Sequence, residues 1–293
     1  MVKRIDKSDI SDALSGLYGE RKPEGILTGL TDLDRCLCGL REGDLIVVGG
    51  RPSMGKTAFA LSLVKNIAIN DKVPTLYLSW GMDKEWVLKR LICLKAGMFS
   101  PHKRANDEER RRLEEAGEEV LKGNLYISDL REITPDNLEQ TLSELELPPK
   151  LIIIDYLQMV AYGMKKGEMK ERIRDYLYEL KKIGLKYRCT ILVLSALSKK
   201  PDKRKDHRPF LKDLRGIEAI EAVADAVLFL YRDCYYNWET ANPDEAEVIV
   251  TWNRRGPWET VKLTFSEGEF LNFNPKKAAS KEVMHEVDDL PFY

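Results

Sequence analysis

Short apolar runs alternate along the chain with longer segments in which apolar residues recur at helical spacing. The strand-like runs lie at 45–49, 75–79, 125–128, 151–155, 190–195 and 226–231. The segments between them predict helices at about 56–70, 83–97, 106–122, 135–146 and 170–187. Apolar strands separated by helices are typical of a buried, mostly parallel sheet with right-handed crossovers. The pattern therefore predicts an α/β fold.

The two ends of the chain follow a different pattern from this α/β region. Near the start, apolar residues on one helical face predict a helix at 8–18, which could dock on a neighbouring subunit or on its own domain. Late in the chain, 246–252 and 259–265 predict a C-terminal β-hairpin across the sequence RRGPW. We therefore divide the chain into a linker helix (1–24), a main domain (25–275) and a flexible acidic tail (276–293).

Composition narrows the class of protein. The 293 residues are 43% hydrophobic and carry a net charge of -1, so any contact with nucleic acid must come from a local basic patch. The five cysteines form no CxxC pair and the three histidines are far apart, which argues against a zinc site and for reduced thiols. No apolar signal segment or run of about 18 apolar residues is present. We expect a cytoplasmic protein without a membrane segment.

Residues 50–57, GRPSMGKT, fit the phosphate-binding motif G-x-x-x-x-G-K-[ST]. The motif follows an apolar strand and opens a helix, which is the structural context it requires. Its glycines let backbone N–H groups turn toward phosphate oxygens, its lysine supplies positive charge, and its last hydroxyl can bind Mg²⁺. The predicted nucleotide-binding residues are Gly50, Arg51, Pro52, Ser53, Gly55, Lys56 and Thr57.

A second apolar strand supplies the acidic partner of this loop. The run LIIID ends in Asp155, and a carboxylate at the end of a buried strand is suited to a metal-bound water. Thr57 and Asp155 are therefore the predicted Mg²⁺ ligands. Lys56, through its charge on the β- and γ-phosphates, and Asp155, through the metal-bound water, are also predicted to be catalytic.

Three longer segments carry a resemblance to a known family. They are TGLTDLDRCLCGLREGDLIVVGGRPSMGKTAFAL, IDYLQ and DLRGIEAIEAVADAVLFLYRDCYYN. Over about residues 25–275 the chain resembles the C-terminal motor domain of DnaB-type replicative DNA helicases. The resemblance implies a RecA-like P-loop NTPase core, ATP with Mg²⁺, and a ring, usually a hexamer, around single-stranded DNA in replication. Since only about 25 residues precede the match, we do not expect the family's primase-interacting domain in this chain.

The chain departs from the family at three positions that serve hydrolysis. Gly81, in LSWGM, occupies the position of the family's general base, a glutamate, and Ala196, in LSALS, that of its phosphate-sensing glutamine. In TWNRRGP, Trp252 replaces a lysine, whereas Arg254 is retained at the position that reaches the neighbouring subunit's γ-phosphate. Glycine, alanine and tryptophan cannot accept the proton of a water or hold a developing charge. The sequence therefore predicts ATP binding with impaired hydrolysis, and Arg254 completes the predicted catalytic set.

Two alternative functions remain open from the sequence. The chain could be an active ATP-dependent helicase motor in which Asp83 or Glu85 replaces the missing base, although an acidic residue at that point commonly caps the next helix. It could instead be a non-enzymatic interaction module. Its last residues, DDLPFY, resemble the acidic tip of bacterial single-stranded-DNA-binding proteins.

Residues 198–212, SKKPDKRKDHRPFLK, carry seven Lys or Arg against two Asp and form a basic loop. The resemblance implies that this loop faces DNA in the central channel of a ring, and such contacts with phosphates do not depend on base sequence. A solvated loop without a ligand is the alternative. A second candidate segment is 163–172, and Gly216 replaces a usual glutamate beside the basic loop. The predicted DNA-binding residues are Lys199, Lys200, Lys203, Arg204, Lys205, Arg208 and Arg215.

The expected partners follow from these assignments. Single-stranded DNA is one. Self-association into a ring or filament, or association with a replicative helicase, is the other.

Overall fold

The computed structural model describes residues 24–99, 105–128, 133–161 and 163–274, together with Lys7 and Ile10. Within this part of the chain all nine strands belong to one sheet, in the order β3-β2-β4-β5-β1-β6-β7-β8-β9. Its parallel strands are β1 (Leu45–Gly50), β2 (Thr75–Ser79), β3 (Leu125–Ser128), β4 (Leu151–Asp155), β5 (Thr190–Ala196) and β6 (Ala226–Tyr231). The antiparallel strands are β7 (Glu245–Asn253), β8 (Thr260–Ser266) and β9 (Glu269–Asn272).

Helices cover both faces of this sheet. They are α1 (Thr31–Leu37), α2 (Lys56–Val64), α3 (Lys84–Lys95), α4 (Asp107–Leu121), α5 (Pro135–Glu144), α6 (Lys166–Tyr187) and α7 (Ile217–Val223), and α2 continues as a π-helix over Lys65–Asn70. Local chemistry sets several helix starts. The Thr134 side chain accepts a hydrogen bond from the backbone N–H of Asn137 at 3.1 Å, and Pro135 occupies the first turn.

The sheet has a separate hydrophobic core on each face. Alternate residues of a strand point to opposite faces, so Ile46 packs on one side, toward α1–α4, and Val47 on the other, toward α5–α7. Because both faces are covered, β4 is buried along its whole length. Burying each large apolar side chain contributes about 1.5–3 kcal/mol to the free energy of unfolding. A continuous apolar run such as LIIID is the sequence counterpart of this arrangement.

The structure confirms the predicted α/β fold and its C-terminal hairpin, and adds elements that the sequence pattern did not predict. The hairpin is extended by the four-residue strand β9, which follows a tight turn at Gly268, where φ is +76°. The short helices α1 and α7 were also missed, since seven residues are too few to show clear helical periodicity.

The predicted helix at 8–18, apart from Ile10, and the tail at 276–293 lie outside the described residues. No described helix is both long and apolar enough to cross a membrane.

The strand directions divide the candidate functional residues between two edges of the sheet. The carboxyl ends of β1, β2, β4 and β5 meet at one edge, where Gly50 pairs with Ala196 and Ser79 with Asp155. Because β7 runs antiparallel to β6, Asn253 pairs with Ala226 at the opposite edge. The six residues of β6 separate the two edges by about 20 Å.

Candidate nucleotide-binding site

The predicted phosphate-binding loop joins β1 to α2 at the carboxyl edge of the sheet. Gly55 caps α2 in a left-handed conformation, with φ at +89°. A side chain there would be strained, and its Cβ would lie 3.0 Å from the ring of Phe270. The seven residues predicted to bind nucleotide run from the end of β1, at Gly50, to the first turn of α2, at Thr57, with Pro52 and Ser53 exposed at the tip of the loop. Because the loop leads directly into α2, the unpaired backbone N–H groups at the start of α2 point toward the loop, as phosphate binding requires.

Lys56 lies inside the loop. Its Nζ donates hydrogen bonds to the carbonyl oxygens of Gly50 at 2.9 Å and Arg51 at 3.1 Å. Burial lowers the pKa of Lys56 to about 8, against an opposing effect of the Asp155 carboxylate. An ammonium group held by two carbonyls at the centre of the loop is well placed to bind phosphate oxygens.

Thr57 and Asp155, the predicted Mg²⁺ ligands, are in direct contact. The Thr57 hydroxyl donates to Oδ2 of Asp155 at 2.8 Å, and the Tyr77 hydroxyl donates to the same oxygen at 2.8 Å. Burial raises the pKa of Asp155, while these two hydrogen bonds lower it. Burial also raises the pKa of Tyr77 well above its usual value, so this phenol stays a hydrogen-bond donor. A hydroxyl and a carboxylate that converge in this way form an oxygen donor set that fits Mg²⁺.

The position of the missing base is an exposed turn directly after β2. Ser79 closes this turn, because its Oγ donates to the carbonyl of Met82 at 2.7 Å and accepts from the N–H of Met82 at 3.1 Å. A Cβ built on Gly81 would meet no heavy atom nearer than the ring of Tyr156, at 4.0 Å. The turn could therefore accommodate a larger side chain without strain, but glycine supplies no proton acceptor.

The two acidic residues that could replace this base are both engaged on α3. Asp83 is the helix cap, and its Oδ1 accepts from the backbone N–H of Trp86 at 2.7 Å. Glu85 forms an ion pair with Lys89 at 2.6 Å on the exposed face of the helix. The arrangement favours capping over catalysis for Asp83.

Ala196, at the position of the family's sensing glutamine, takes part in a contact that the sequence did not reveal. The backbone N–H of Ala196 donates to Oε1 of Gln158 at 2.8 Å, and Nε2 of Gln158 donates to Oγ of Ser195 at 2.9 Å. Gln158 follows Asp155 by three residues in IDYLQ, and this proximity is the only sequence signal for its role. It links the end of β4 to the end of β5.

An aromatic wall, also missed from the sequence, lies behind the phosphate loop. It consists of Phe265 and Phe270, whose ring centroids are 4.9 Å apart. The guanidinium carbon of Arg232 lies 3.9 Å from the centroid of Phe265. A Cβ on Gly55 would be 3.5 Å from the Phe265 ring, so the wall is in contact with the loop.

The structure does not bring Arg254 together with Lys56 and Asp155 in one chain. Arg254 follows β7 at the opposite edge of the sheet, with its side chain 46% exposed and Nη1 3.7 Å from Asp225 Oδ1. Its neighbour Trp252 is fixed at the same edge, because Nε1 donates to the carbonyl of Ala224 at 3.1 Å. Within one subunit, Arg254 therefore cannot reach the phosphate loop.

Two of the seven predicted DNA-binding residues form internal ion pairs. Nη2 of Arg204 lies 2.6 Å from Oδ1 of the buried Asp213, and Nη2 of Arg208 lies 2.7 Å from Oε1 of Glu247. These arginines hold the basic loop against the domain. The residues whose side chains remain exposed to solvent are Lys199, Lys200, Lys203, Lys205 and Arg215.

The second basic segment, 163–172, is largely the first turns of α6. Lys170 forms an ion pair with Glu218 of α7 at 3.3 Å. Gly216 precedes α7 with φ at +77°, and a Cβ there would meet Ile173 at 2.9 Å. Glycine is therefore required for the packing of α7 on α6 at this point.

Comparisons with known proteins agree on this architecture. Residues 25–274 match the family model described as the DnaB-like helicase C terminal domain. The chain is 35% identical to the replicative DNA helicase DnaC of Bacillus subtilis (strain 168) over 256 residues, which are 85% of this chain and 56% of that protein. It is 33% identical to the replicative DNA helicase DnaB of Geobacillus stearothermophilus, with the same coverage. The chain thus spans about half the length of these curated relatives.

Solved structures give the same result for the fold. One solved structure, described as an ATPase domain, superimposes with a TM-score of 0.80 at 31% identity, covering 92% of this chain and 100% of that chain. A DnaB-like replicative helicase, solved in a study of its interactions with primase, gives a TM-score of 0.81 at 30% identity, over 94% of this chain and 68% of that chain. These likenesses confirm the predicted RecA-like α/β fold.

Proposed function

The chain belongs to the DnaB-like helicase C-terminal domain family, a family of DNA replication, and from this premise we propose that it binds ATP with Mg²⁺ and hydrolyses it poorly. The observation that carries the proposal is Gly81. The phosphate loop is complete, whereas the turn after β2 presents no proton acceptor to a water at the γ-phosphate.

ATP binding draws on residues that are all present. The Lys56 ammonium would contact the β- and γ-phosphates, and the N-terminus of α2 would supply backbone N–H groups. Thr57 and Asp155, already 2.8 Å apart, would hold Mg²⁺, which neutralises phosphate charge when bound. None of these interactions depends on Gly81, so ground-state binding and hydrolysis are separable.

Slow hydrolysis follows from what surrounds the expected position of the attacking water. A positioned general base contributes about 10²–10⁴-fold to a rate, and glycine contributes nothing of this kind. Ala196 offers no side-chain amide. Trp252 lies at the opposite edge of the sheet, so it would face the nucleotide only from a neighbouring subunit, and it offers no charge there. Each replacement removes stabilisation of the transition state and leaves ATP binding in place.

Nucleotide contact by Arg254 would have to come from a second subunit. The topology separates Arg254 from the phosphate loop of its own chain by about the length of β6. Its exposed guanidinium is permanently charged and has a planar fork suited to a γ-phosphate. We propose that Arg254 contacts ATP held by Lys56 and Thr57 of a neighbouring subunit. Bound ATP would then stabilise a ring, a filament, or a mixed assembly with a replicative helicase.

The exposed lysines of the basic loop support a contact with single-stranded DNA. Arg204 and Arg208 hold this loop to the domain, so Lys199, Lys200, Lys203 and Lys205 face solvent. Such a surface would bind phosphates without base preference and would lose affinity as salt rises.

The alternative functions need features that the described residues do not supply. An active helicase motor would require Asp83 or Glu85 to leave its contact on α3. A non-enzymatic module acting through DDLPFY would depend on a tail that lies outside the described residues. It would not need the preformed contact between Thr57 and Asp155.

One paired measurement tests the proposed function. The chain is titrated with a fluorescent, non-hydrolysable ATP analogue in the presence of Mg²⁺, and phosphate release from ATP is then measured with and without single-stranded DNA. We expect saturable binding together with slow turnover that DNA does not stimulate. Strong stimulation by DNA would favour the active motor, and absence of analogue binding would favour the interaction module.

A further inference from the structure

Arg51, the second residue of the phosphate loop, is bound through its side chain to the basic loop. Its Nε and Nη2 lie 3.0 Å and 2.6 Å from the two carboxylate oxygens of Asp202. Its Nη1 donates to the carbonyl of Leu197 at 3.3 Å. The Arg51 side chain is 15% exposed and that of Asp202 34%, so the bidentate pair is only partly open to water. The two loops are thus joined by a well-defined contact between fixed partners.

Asp202 also connects this pair to a third segment. The hydroxyl of Tyr236 donates to Oδ1 of Asp202 at 2.8 Å, and the ring of His207 stacks on Tyr236 with centroids 4.2 Å apart. A ring nitrogen of His207 lies 3.3 Å from the carbonyl oxygen of Pro201, within the basic loop itself. A shift of Asp202 would therefore move the middle of the basic loop, where its exposed lysines lie.

The main chain of Arg51 contacts the group that we propose binds phosphate. Nζ of Lys56 donates to the Arg51 carbonyl at 3.1 Å. An ammonium has three N–H donors, and phosphate oxygens at the loop would compete with this carbonyl for them. Arg51 therefore lies between two ligand sites: its carbonyl contacts the lysine of the nucleotide site, and its guanidinium holds the loop proposed to contact DNA.

We propose that Asp202 is a positioning residue that, through Arg51, couples nucleotide at the phosphate loop to DNA binding by the basic loop. The inference rests on the proposed function, because it requires both ligands to bind. Coupling of this kind is reciprocal, so nucleotide changes DNA affinity by the same factor as DNA changes nucleotide affinity. Its size is measured by the ratio of the larger to the smaller of two DNA dissociation constants, one measured with nucleotide and one without.

A purely structural role for the ion pair predicts a different result. If Asp202 only held the basic loop in shape, its loss would weaken DNA binding equally in the presence and absence of nucleotide, and the ratio would not change. If Asp202 couples the sites, its loss must change the ratio itself. The ratio is therefore the readout that separates the two roles.

The test compares four proteins by fluorescence anisotropy of a labelled single-stranded oligonucleotide, with and without a saturating non-hydrolysable ATP analogue and Mg²⁺. They are the wild type, Asp202→Asn, Asp202→Glu and Glu139→Gln. Asp202→Asn keeps the size of the side chain and removes its charge, whereas Asp202→Glu restores the charge. Glu139→Gln breaks an ion pair with Lys186 at 2.9 Å, between α5 and α6 and away from both loops. Its carboxylate is about as exposed as that of Asp202, at 39% against 34%.

We expect a ratio of about 5–150 in the wild type and in Glu139→Gln, within the usual range for coupled sites. In Asp202→Asn the ratio should fall to near 1, and Asp202→Glu should restore part of it. A wild-type ratio of 1, or an unchanged ratio in Asp202→Asn, would overturn the coupling. Failure of the wild type to bind the analogue at all would instead count against the proposed function, so the two failures are distinguishable.

Discussion

The Thr57 hydroxyl and the Asp155 carboxylate meet at 2.8 Å, which joins the end of the phosphate loop to the end of β4. This contact brings together the two proposed metal ligands, one from the first turn of α2 and one from the end of β4, which are far apart in sequence. On the adjacent strand β2, the turn at Gly81 has room for a side chain but carries none. The residues that we propose bind ATP therefore lie beside a position that offers no side chain to accept the proton of a water.

Lys56 should make ATP affinity depend on pH in a direction that follows from its lowered pKa. Burial lowers its pKa to about 8 in the free protein, and a bound phosphate would raise it again. ATP binding should therefore be strongest below pH 8 and weaken above it, by up to about tenfold per pH unit until the pKa of the bound state is reached. Titration with a fluorescent ATP analogue from pH 7 to 9.5 measures this. Lys56→Met should bind weakly at every pH, and an equal pH dependence in that variant would exclude Lys56 as the cause.

Asp155→Asn should make ATP affinity insensitive to Mg²⁺. The variant keeps an acceptor for Thr57 and Tyr77 but removes the negative charge that would hold the cation. In the wild type we expect analogue affinity to fall about tenfold or more when Mg²⁺ is replaced by EDTA, a loss typical of one strong charged interaction. Isothermal titration calorimetry in both buffers gives the comparison. A variant that still responds fully to Mg²⁺ would show that the cation is bound elsewhere.

Two substitutions of Asp83 distinguish a role as helix cap from a role as catalytic base. Asparagine caps helices about as well as aspartate, so Asp83→Asn should leave both stability and ATP hydrolysis unchanged. Asp83→Ala removes the cap and should lower the free energy of unfolding by about 1 kcal/mol. Urea unfolding and a phosphate-release assay on the two variants measure these effects. Loss of hydrolysis in Asp83→Asn, with unchanged stability, would identify Asp83 as the base.

The sequence alone predicted the part of the site that depends on local motifs and buried strands. The positions of Gly50, Lys56, Thr57 and Asp155 agree with the sequence pattern, because continuous apolar strands and fixed motif spacing determine where they lie, and their roles in binding stay predictions. These strands are buried on both faces, so their apolar runs carry a strong signal.

The partners of charged side chains could not be predicted in the same way. Arg204 and Arg208 were assigned to DNA binding because they lie in a basic run, but they form pairs with Asp213 and Glu247. A charge pattern shows that charges are present and does not show which of them meet in three dimensions. The contact between Arg51 and Asp202, 151 residues apart, was invisible for the same reason.

Arg254→Ala should weaken any assembly that nucleotide promotes. Because Arg254 lies at the edge of the sheet opposite to its own phosphate loop, it can contact nucleotide only from a neighbouring subunit. Light scattering with and without the non-hydrolysable analogue should show a nucleotide-dependent increase in particle mass for the wild type and a smaller one for the variant. Arg35→Ala is the control, since Arg35 is an exposed arginine paired only loosely with Asp32, at 3.4 Å.

Arg254→Ala should leave the fold of the single subunit intact. Arg254→Ala should keep the melting temperature of the wild-type monomer within a few degrees, because its ion pair with Asp225 is long and partly exposed. If particle mass ignores both nucleotide and the substitution, Arg254 has no role between subunits.

The most direct test of impaired hydrolysis is the steady-state ATPase rate of the wild type beside Gly81→Glu, each with and without single-stranded DNA. Glutamate should fit, because the nearest heavy atom to its Cβ is the Tyr156 ring at 4.0 Å. We expect the wild type to be slow with or without DNA, and the variant to be about tenfold faster or more, with Ala196 and Trp252 limiting the gain. Gly117→Glu on α4, where a Cβ meets nothing within 4 Å, should remain at the wild-type rate. A wild-type rate that rises strongly with DNA, or a Gly81→Glu rate no higher than that of Gly117→Glu, would contradict this account.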